Sequence, residues 1–410
     1  MGNDEMNSYP VEYWMWLQNA IGAGAATDEI LSYFETPKAM YEAGEYEWRL
    51  SGIFTAAKIE KLKQKSPKDF LRTVSECHSK GVKVLTPDNE KYPKQYKFLT
   101  DMPLVLYVLG DESSLLDHVH IAIVGTRKAS AYGTEVTQRM SYSLAKAGVT
   151  IVSGGALGID SEAHAGAMLA KGRTVCVLGC GIYCDYLKAN APLRRAITRY
   201  GAVISEYPIF APASKITFPI RNRLISGLSL GVIVVEAGER SGSLITARVA
   251  AEQGKDVFAV PGDILRSSFT GTNMLIKDGV KAVFTPSDVL SEYSYEYGEY
   301  LNIKGIDDFF SSTKYINYQK KSGSKHKVNQ AEKQPEKPFE NKASLPQTAS
   351  EDAKNIFTLL SENAIHIDEI SEKASINIQK TLCALTELEM YGCARQIEGK
   401  RYVIINKKRL

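Results

Sequence analysis

Eight short runs of apolar, mostly β-branched residues constrain this chain more than any other feature: "VKVLT", "LVLYVLG", "IAIVG", "TIVSG", "TVCVLG", "AVISE", "GVIVVEA" and "DVFAVPG". They lack the polar alternation of a half-exposed strand, so each reads as a strand buried on both faces. Amphipathic segments of helical length separate most of them, which predicts a doubly wound α/β domain over roughly 78–292. On such a sheet ligands bind at the carboxyl ends of the strands. The informative turns all follow strands: "VGTRKAS", "SGGALGID", "LGCGIYCD", "SEYPIF", "EAGERSGS" and "VPGDIL".

The rest of the chain is organised differently. Residues 1–77 carry helical periodicity without strand alternation and predict a small helical domain, whose glycine turns "AIGAG" and "LSGIFT" either join helices or offer backbone N–H groups to a phosphate. Residues 293–349 lose the core pattern, with eight Lys against three Glu between 314 and 342, and predict a disordered linker. Residues 350–410 predict three helices and a hairpin around "EGK", the plan of a winged helix. The expected recognition helix, 376–390, carries Lys380 but also Glu387 and Glu389, which favours a protein contact over duplex reading.

Lys plus Arg at 50 against Asp plus Glu at 47 neither demands nor excludes nucleic acid; the placement of charge decides. Six cysteines without a CxxC pair, no secretory segment and no apolar run near 20 residues predict a cytoplasmic protein with no membrane partner. Cys176, Cys180 and Cys184 fit no zinc spacing, so no metal is expected.

The turn "IAIVGTRKASAYG" has the strand–turn–helix layout of a dinucleotide fingerprint and fails it. Thr126 and Arg127 follow Gly125, where a pyrophosphate needs bare backbone, and Lys128 and Ser130 come before the next glycine, Gly133. Two further helix starts are anion-ready, one after Ser153, Gly154 and Gly155, the other at Ser241, Gly242 and Ser243. Arg221, Asn222 and Arg223 in "FPIRNRLISGLS", with Lys188 and Asn190 from "DYLKAN", add a basic rim interleaved with Tyr132, Tyr207 and Phe218. A strand of nucleic acid fits such a rim better than one small phosphate does, although an arginine pair is as often a solvated face. Asp160 and His164, four apart, read as a carboxylate holding a histidine tautomer. No GxSxG elbow is present, so no catalytic residue is expected.

In their order these turns resemble the DNA-processing protein A family (DprA, also called Smf). The pattern GxRxxSxYG falls on Gly125, Arg127, Ser130, Tyr132 and Gly133, and "SGGALGIDSEAH", "SEYP", "FPIRNRLISGLS", "VVEAGERSGSLITA", "DVFAVPGD" and "GTNMLIKDG" follow over about 85–290. The resemblance implies an extended Rossmann-like domain between a helical start of the SAM or helix-hairpin-helix type and a winged-helix end. It also implies a non-enzymatic, cofactor-free homodimer that binds single-stranded DNA, protects incoming strands in natural transformation and loads the RecA recombinase, with the single-strand-binding protein as a further partner. It makes Arg127 the family's GxR arginine and Lys188 the lysine after the YP pair. It also puts dimer or recombinase contacts near Asn273, Leu275, Ile276 and Lys277. The family's "GxDxxYPxxN" reads "GIYCDYLKAN" here, with Tyr183 for Asp and Leu187 for Pro.

Two other readings of the residues stay open. One is a nucleotide-processing enzyme of the phosphoribohydrolase type, with Glu236 as acid and Arg240 orienting the base, although that class's "GGxGTxxE" pattern is absent. The other is a nucleotide-binding regulator that uses its winged helix on duplex DNA.

Overall fold

The eight apolar runs each contain one strand: β1 (Lys83–Leu85), β2 (Leu106–Gly110), β3 (His120–Val124), β4 (Thr150–Ser153), β5 (Thr174–Leu178), β6 (Gly201–Ser205), β7 (Gly231–Val234) and β8 (Asp256–Ala259). This is a computed structural model. It describes residues 10–185, 188–311, 349–361, 365–391, 393–397 and 401–404, and of residues 188, 309, 311, 379, 390, 396 and 397 only the backbone. A ninth strand, β9 (Lys281–Ala282), escaped the sequence pattern because it is two residues long and begins on an exposed lysine.

The strands form one sheet in the order β1-β2-β6-β5-β4-β3-β7-β8-β9. From β6 through β9 all neighbours are parallel, while β1 and β2 close one edge as antiparallel additions. The chain leaves β3 toward β4 on one side and later returns to β7 on the other. The switch in winding direction therefore lies between β3 and β7, where Ile121 to Val124 pair with Gly231 to Val234. Both faces are buried, as the absence of alternation predicts: Ala122, Val124, Val232 and Val234 enter one core, and Ile121, Ile123, Ile233 and Val235 the other.

The N-terminal helices α1 (Val11–Ile21), α2 (Asp28–Phe34), α3 (Pro37–Leu50), α4 (Ala56–Gln64) and α5 (Leu71–Ser79) share a core with the sheet. Trp14, Trp16 and Leu17 belong to the same cluster as Tyr96, Leu104 and Leu224. Hydrogen bonds add to the join: Leu104 N–H donates to the side-chain Oε1 of Gln18 at 3.1 Å, and Thr27 N–H to Thr100 O at 2.9 Å. The helices α6 (Ala131–Lys146) and α7 (Ile159–Leu169) cover the opposite face. Next come α8 (Ala191–Ile197), then α9 (Thr217–Leu228) and α10 (Gly242–Glu252), which pack on the N-terminal side, and α11 (Thr270–Lys277).

The expected linker begins too early. Tyr293, Leu301 and Ile306 are buried in the core that holds Phe258, and Tyr293 donates its hydroxyl to Asp256 at 2.8 Å. The short helices α12 (Pro286–Leu290), α13 (Ser294–Tyr297) and α14 (Ile306–Ser311) thus belong to the first compact unit. Three buried side chains spread over fourteen residues, amid charged and exposed ones, carry little periodic signal. The lysine-rich stretch falls in 312–348, outside the described residues.

The second unit has helices at Glu351–Leu359, Ile367–Ala374 and Ile378–Met390 and strands β10 (Ile365–His366), β11 (Ala394–Ile397) and β12 (Arg401–Ile404), in the order β10-β12-β11. Ala353, Ile356, Ile370, Leu385, Leu388 and Tyr402 give it a core of its own. The turn at 398–400 lies outside the described residues. Glu387 accepts from both the backbone N–H (2.9 Å) and the hydroxyl (2.5 Å) of Ser350, so it fastens the start of the first helix.

Arg223 joins sheet to helices rather than facing solvent. It lies 5% exposed, with Nη2 2.5 Å from Glu206 Oε2 and Nε 3.1 Å from Asp101 Oδ2. Burial pushes the Glu206 carboxyl up to about 7 against the pull of Arg223. The folded chain then holds a proton there that the unfolded chain has released. The stabilisation is full below the ordinary glutamate value and is lost as pH rises through about 7. Urea unfolding between pH 5 and 8 should therefore show a falling midpoint, and Glu206→Gln should flatten that fall; an unchanged slope would reject the assignment.

Candidate nucleic-acid interface

The loops that leave β3, β4 and β7 meet the starts of α9 and α10 around a cavity of about 680 Å³ at the switch point. The β3 loop is drawn tight against β7: a Cβ on Gly125 would stand 2.6 Å from Ile159 Cγ1 and 2.9 Å from Glu236 O. Thr126 N–H donates to that same Glu236 carbonyl at 2.7 Å, and Ile159 N–H donates to Thr126 O at 3.2 Å. Gly158, at φ +76°, makes the turn into α7 in the left-handed region, pressed on the backbone of Thr126 and Arg127.

The buried carboxylate of Glu236 completes the bracket. Its Oε2 accepts from the Ser130 backbone N–H and hydroxyl, each at 2.9 Å, while Ser130 Oγ accepts from Gly133 N–H at 3.0 Å and so caps α6. Glu236 is poorly placed for the role of a catalytic acid: its Oε2 is engaged at a helix start and the residue does not line the cavity.

Of the sequence-predicted contacts, Gly125, Thr126, Arg127, Arg221, Asn222, Ser241, Gly242 and Ser243 come together on the cavity wall. Gly154 and Gly155 line a narrower crevice beside it, shared with Arg127 and Arg221. Arg127 is exposed, with its guanidinium carbon 5.6 Å from the centre of the Phe218 ring. Lys128 is exposed next to it but lines neither space.

Arg221 stacks on the same ring at 5.9 Å but is buried. Its Nη1 donates to Gly154 O at 2.9 Å and to Val177 O, and its Nε to Asn222 Oδ1 at 3.2 Å. It therefore stitches the ends of β4 and β5 together. Burial lowers the Arg221 value and raises that of Asp160, while their mutual attraction opposes both shifts.

Other predicted contacts turn inward. Ser153 is buried and donates to Ile123 O at 2.6 Å, and Asn190 Nδ2 donates to Gly155 O and to Ser161 Oγ, both at 3.0 Å. Asn190 thus braces the β4 loop rather than facing a ligand. Lys188 opens a short 3-10 turn, Lys188–Asn190; its side chain, like Leu187, lies outside the described residues. His164 bonds Thr174 Oγ1 at 2.7 Å through Nδ1, and burial lowers it to about 3. No bond joins it to Asp160, whose Oδ2 instead accepts from Ala156 N–H at 3.3 Å.

On α11, Asn273 exchanges two 3.1 Å bonds with the Gly262 backbone, Leu275 and Ile276 are half-buried and Lys277 is exposed. The apolar side chain most open there is Met274, 47% exposed. Sequence reasoning also left Lys215 off the contact set. It is exposed and lines the cavity beside Ser214, and its signal was its place just before the "FPIRN" helix.

These features define a Rossmann-like α/β protein with a cationic cleft at its switch point, followed in the chain by a winged-helix unit. The chain belongs to the DNA recombination-mediator protein A family: that family's profile matches residues 83–294, just over half of the chain, and the DprA winged helix domain profile matches residues 340–400. It is 39% identical over 240 residues to DNA processing protein DprA of Bacillus subtilis, covering 58% of this chain and 80% of that one. It is 30% identical over 409 residues to Protein Smf of Synechocystis, covering 95% and 98%. An X-ray structure of DNA processing protein A from Streptococcus pneumoniae superposes with a TM-score of 0.60 at 32% identity, over 68% of this chain and 97% of that one. Among the described residues no helix is long and apolar enough to cross a membrane.

Removing the Ser130 cap should loosen the cleft at its root. Ser130→Ala is expected to lower unfolding stability by about 1 kcal/mol and to weaken ligand binding in parallel. Urea titration and a binding isotherm on the same variant check this; full stability would reject the bracket.

Proposed function

We propose that the protein binds single-stranded DNA across the strand ends of its sheet and serves recombination as a binding protein, not as a catalyst. The observation that carries this reading is the pairing of exposed Arg127 and Lys215 with the N-terminus of α10 around one cavity. Ser241 Oγ caps that helix by accepting from Ser243 N–H at 3.4 Å, and at Gly242 no neighbouring atom would crowd even a Cβ, so a phosphate can approach the positive end of the helix. Phosphates lie against Arg127, Lys215 and the α10 start, with Lys188 a further contact, and bases are taken without sequence readout.

Family membership supports work on recombining DNA. Within that reading the protein acts in the cytoplasm as a homodimer, shields incoming strands and delivers them to the RecA recombinase, with Met274 and Lys277 marking the face nearest the expected contacts. Delivery is tested by following recombinase filament growth on strands already coated by single-strand-binding protein, with and without this protein. The glycosidic-bond reading loses support, because Glu236 is bound to Ser130.

Each phosphate neutralised on a single strand should contribute about −0.7 to the slope of log K against log salt. Arg127→Ala is therefore expected to weaken oligonucleotide binding and to reduce that slope by about 0.7, measured by fluorescence anisotropy across a salt series. Unchanged affinity and slope, or tighter binding to duplex than to single strand, would overturn the proposal.

A further inference from the structure

We infer that the same sheet edge carries a second nucleic-acid contact, an aromatic step made by Tyr183 and Phe210 and topped by Lys80, on which an unpaired base stacks. This rests on the single-strand reading above and extends it along the edge.

The loops after β5 and β6 are zipped together: Gly181 N–H donates to Ala211 O at 2.9 Å and Tyr183 N–H to Ile209 O at 2.8 Å. Their two rings lie 6.2 Å apart, tilted by 39°. A third segment holds them in place, since Tyr183 donates its hydroxyl to Lys80 O at 3.0 Å and the Lys80 ammonium sits 5.5 Å from one ring centre and 5.3 Å from the other. Yet both rings stay open to solvent, Tyr183 at 41% and Phe210 at 51% exposure. Scattered exposed aromatics are ordinary; two fixed by backbone bonds under one cation form a platform.

Its position continues the cleft. Leu178, Gly179 and Cys180, just before the zipped loop, line the crevice with Arg127 and Phe218, and Ala213 and Ser214, just after Ala211, line the main cavity. A strand leaving Arg127 along the ends of β5 and β6 therefore arrives at these rings, and Lys80 meets its phosphate. Where the family pattern has Asp, Tyr183 puts a π-face in place of a charge that would repel the backbone. An unpaired base has a free face to offer; a base inside a duplex does not.

The test uses full-length protein and oligothymidylates of about 5 and about 20 nucleotides. The three native tryptophans are buried, so Phe210→Trp places a surface reporter on the step. Its emission should be quenched by the longer strand, with affinity retained. Phe210→Ala should weaken the longer strand about 5- to 100-fold and the shorter one less than about 2-fold. Lys80→Ala should lower the salt slope for the longer strand by about 0.7. An unquenched Trp, or a Phe210→Ala protein that loses both lengths equally or neither, overturns the aromatic step. If Arg127→Ala still weakens binding in that case, the single-strand reading survives without it; if neither variant affects binding, both fail. Quenching by a protein partner in the absence of DNA would also reject the base as occupant.

Discussion

Everything at the cleft hangs on one buried carboxylate. Glu236 sits at the end of β7, across the switch point from the β3 loop, and it satisfies the backbone and hydroxyl of the residue that caps α6. The strand register brings β3 and β7 side by side, but the bracket fixes where the loop between them goes, and so where Arg127 emerges. One carboxylate oxygen, Oε2, takes both Ser130 donors at the helix start, while Oε1 is buried without a hydrogen-bond partner among the described residues. The same residue is thus a structural device in this chain, where a related chemistry would need it as a proton donor.

Much of the architecture was legible in the sequence, because strands buried on both faces leave an unmistakable mark. All eight runs hold strands, and the turns after β3, β4 and β7 do converge. Boundaries were less legible. The first 77 residues look self-contained in periodicity, yet Trp14, Trp16 and Leu17 need the sheet to finish their core. The segment after residue 292 looks unstructured because its few buried residues, Tyr293, Leu301 and Ile306, are widely spaced among charged and exposed ones, so no apolar period forms.

Charge was the least legible property. Arg221 and Arg223 sit two apart in the middle of one helix and read alike, but α9 turns them to different tasks. Arg221 is spent on the carbonyls of Gly154 and Val177, Arg223 on Glu206 and Asp101. A sequence gives the number of cations; only the fold says which are already engaged inside the protein. The surviving exposed pair, Arg127 and Lys215, comes from loops 88 residues apart in the chain.

The ring of Phe218 is shared by a buried guanidinium and an exposed one. Arg221 cannot leave; Arg127 can. The ring gives Arg127 a resting contact, which narrows the conformations its side chain samples. On the single-strand reading proposed above, less side-chain entropy then remains to be lost when the guanidinium meets a phosphate. Phe218 is in this sense a cradle that readies the arginine, and its contribution would be felt in how fast a strand is caught rather than in any bond to it.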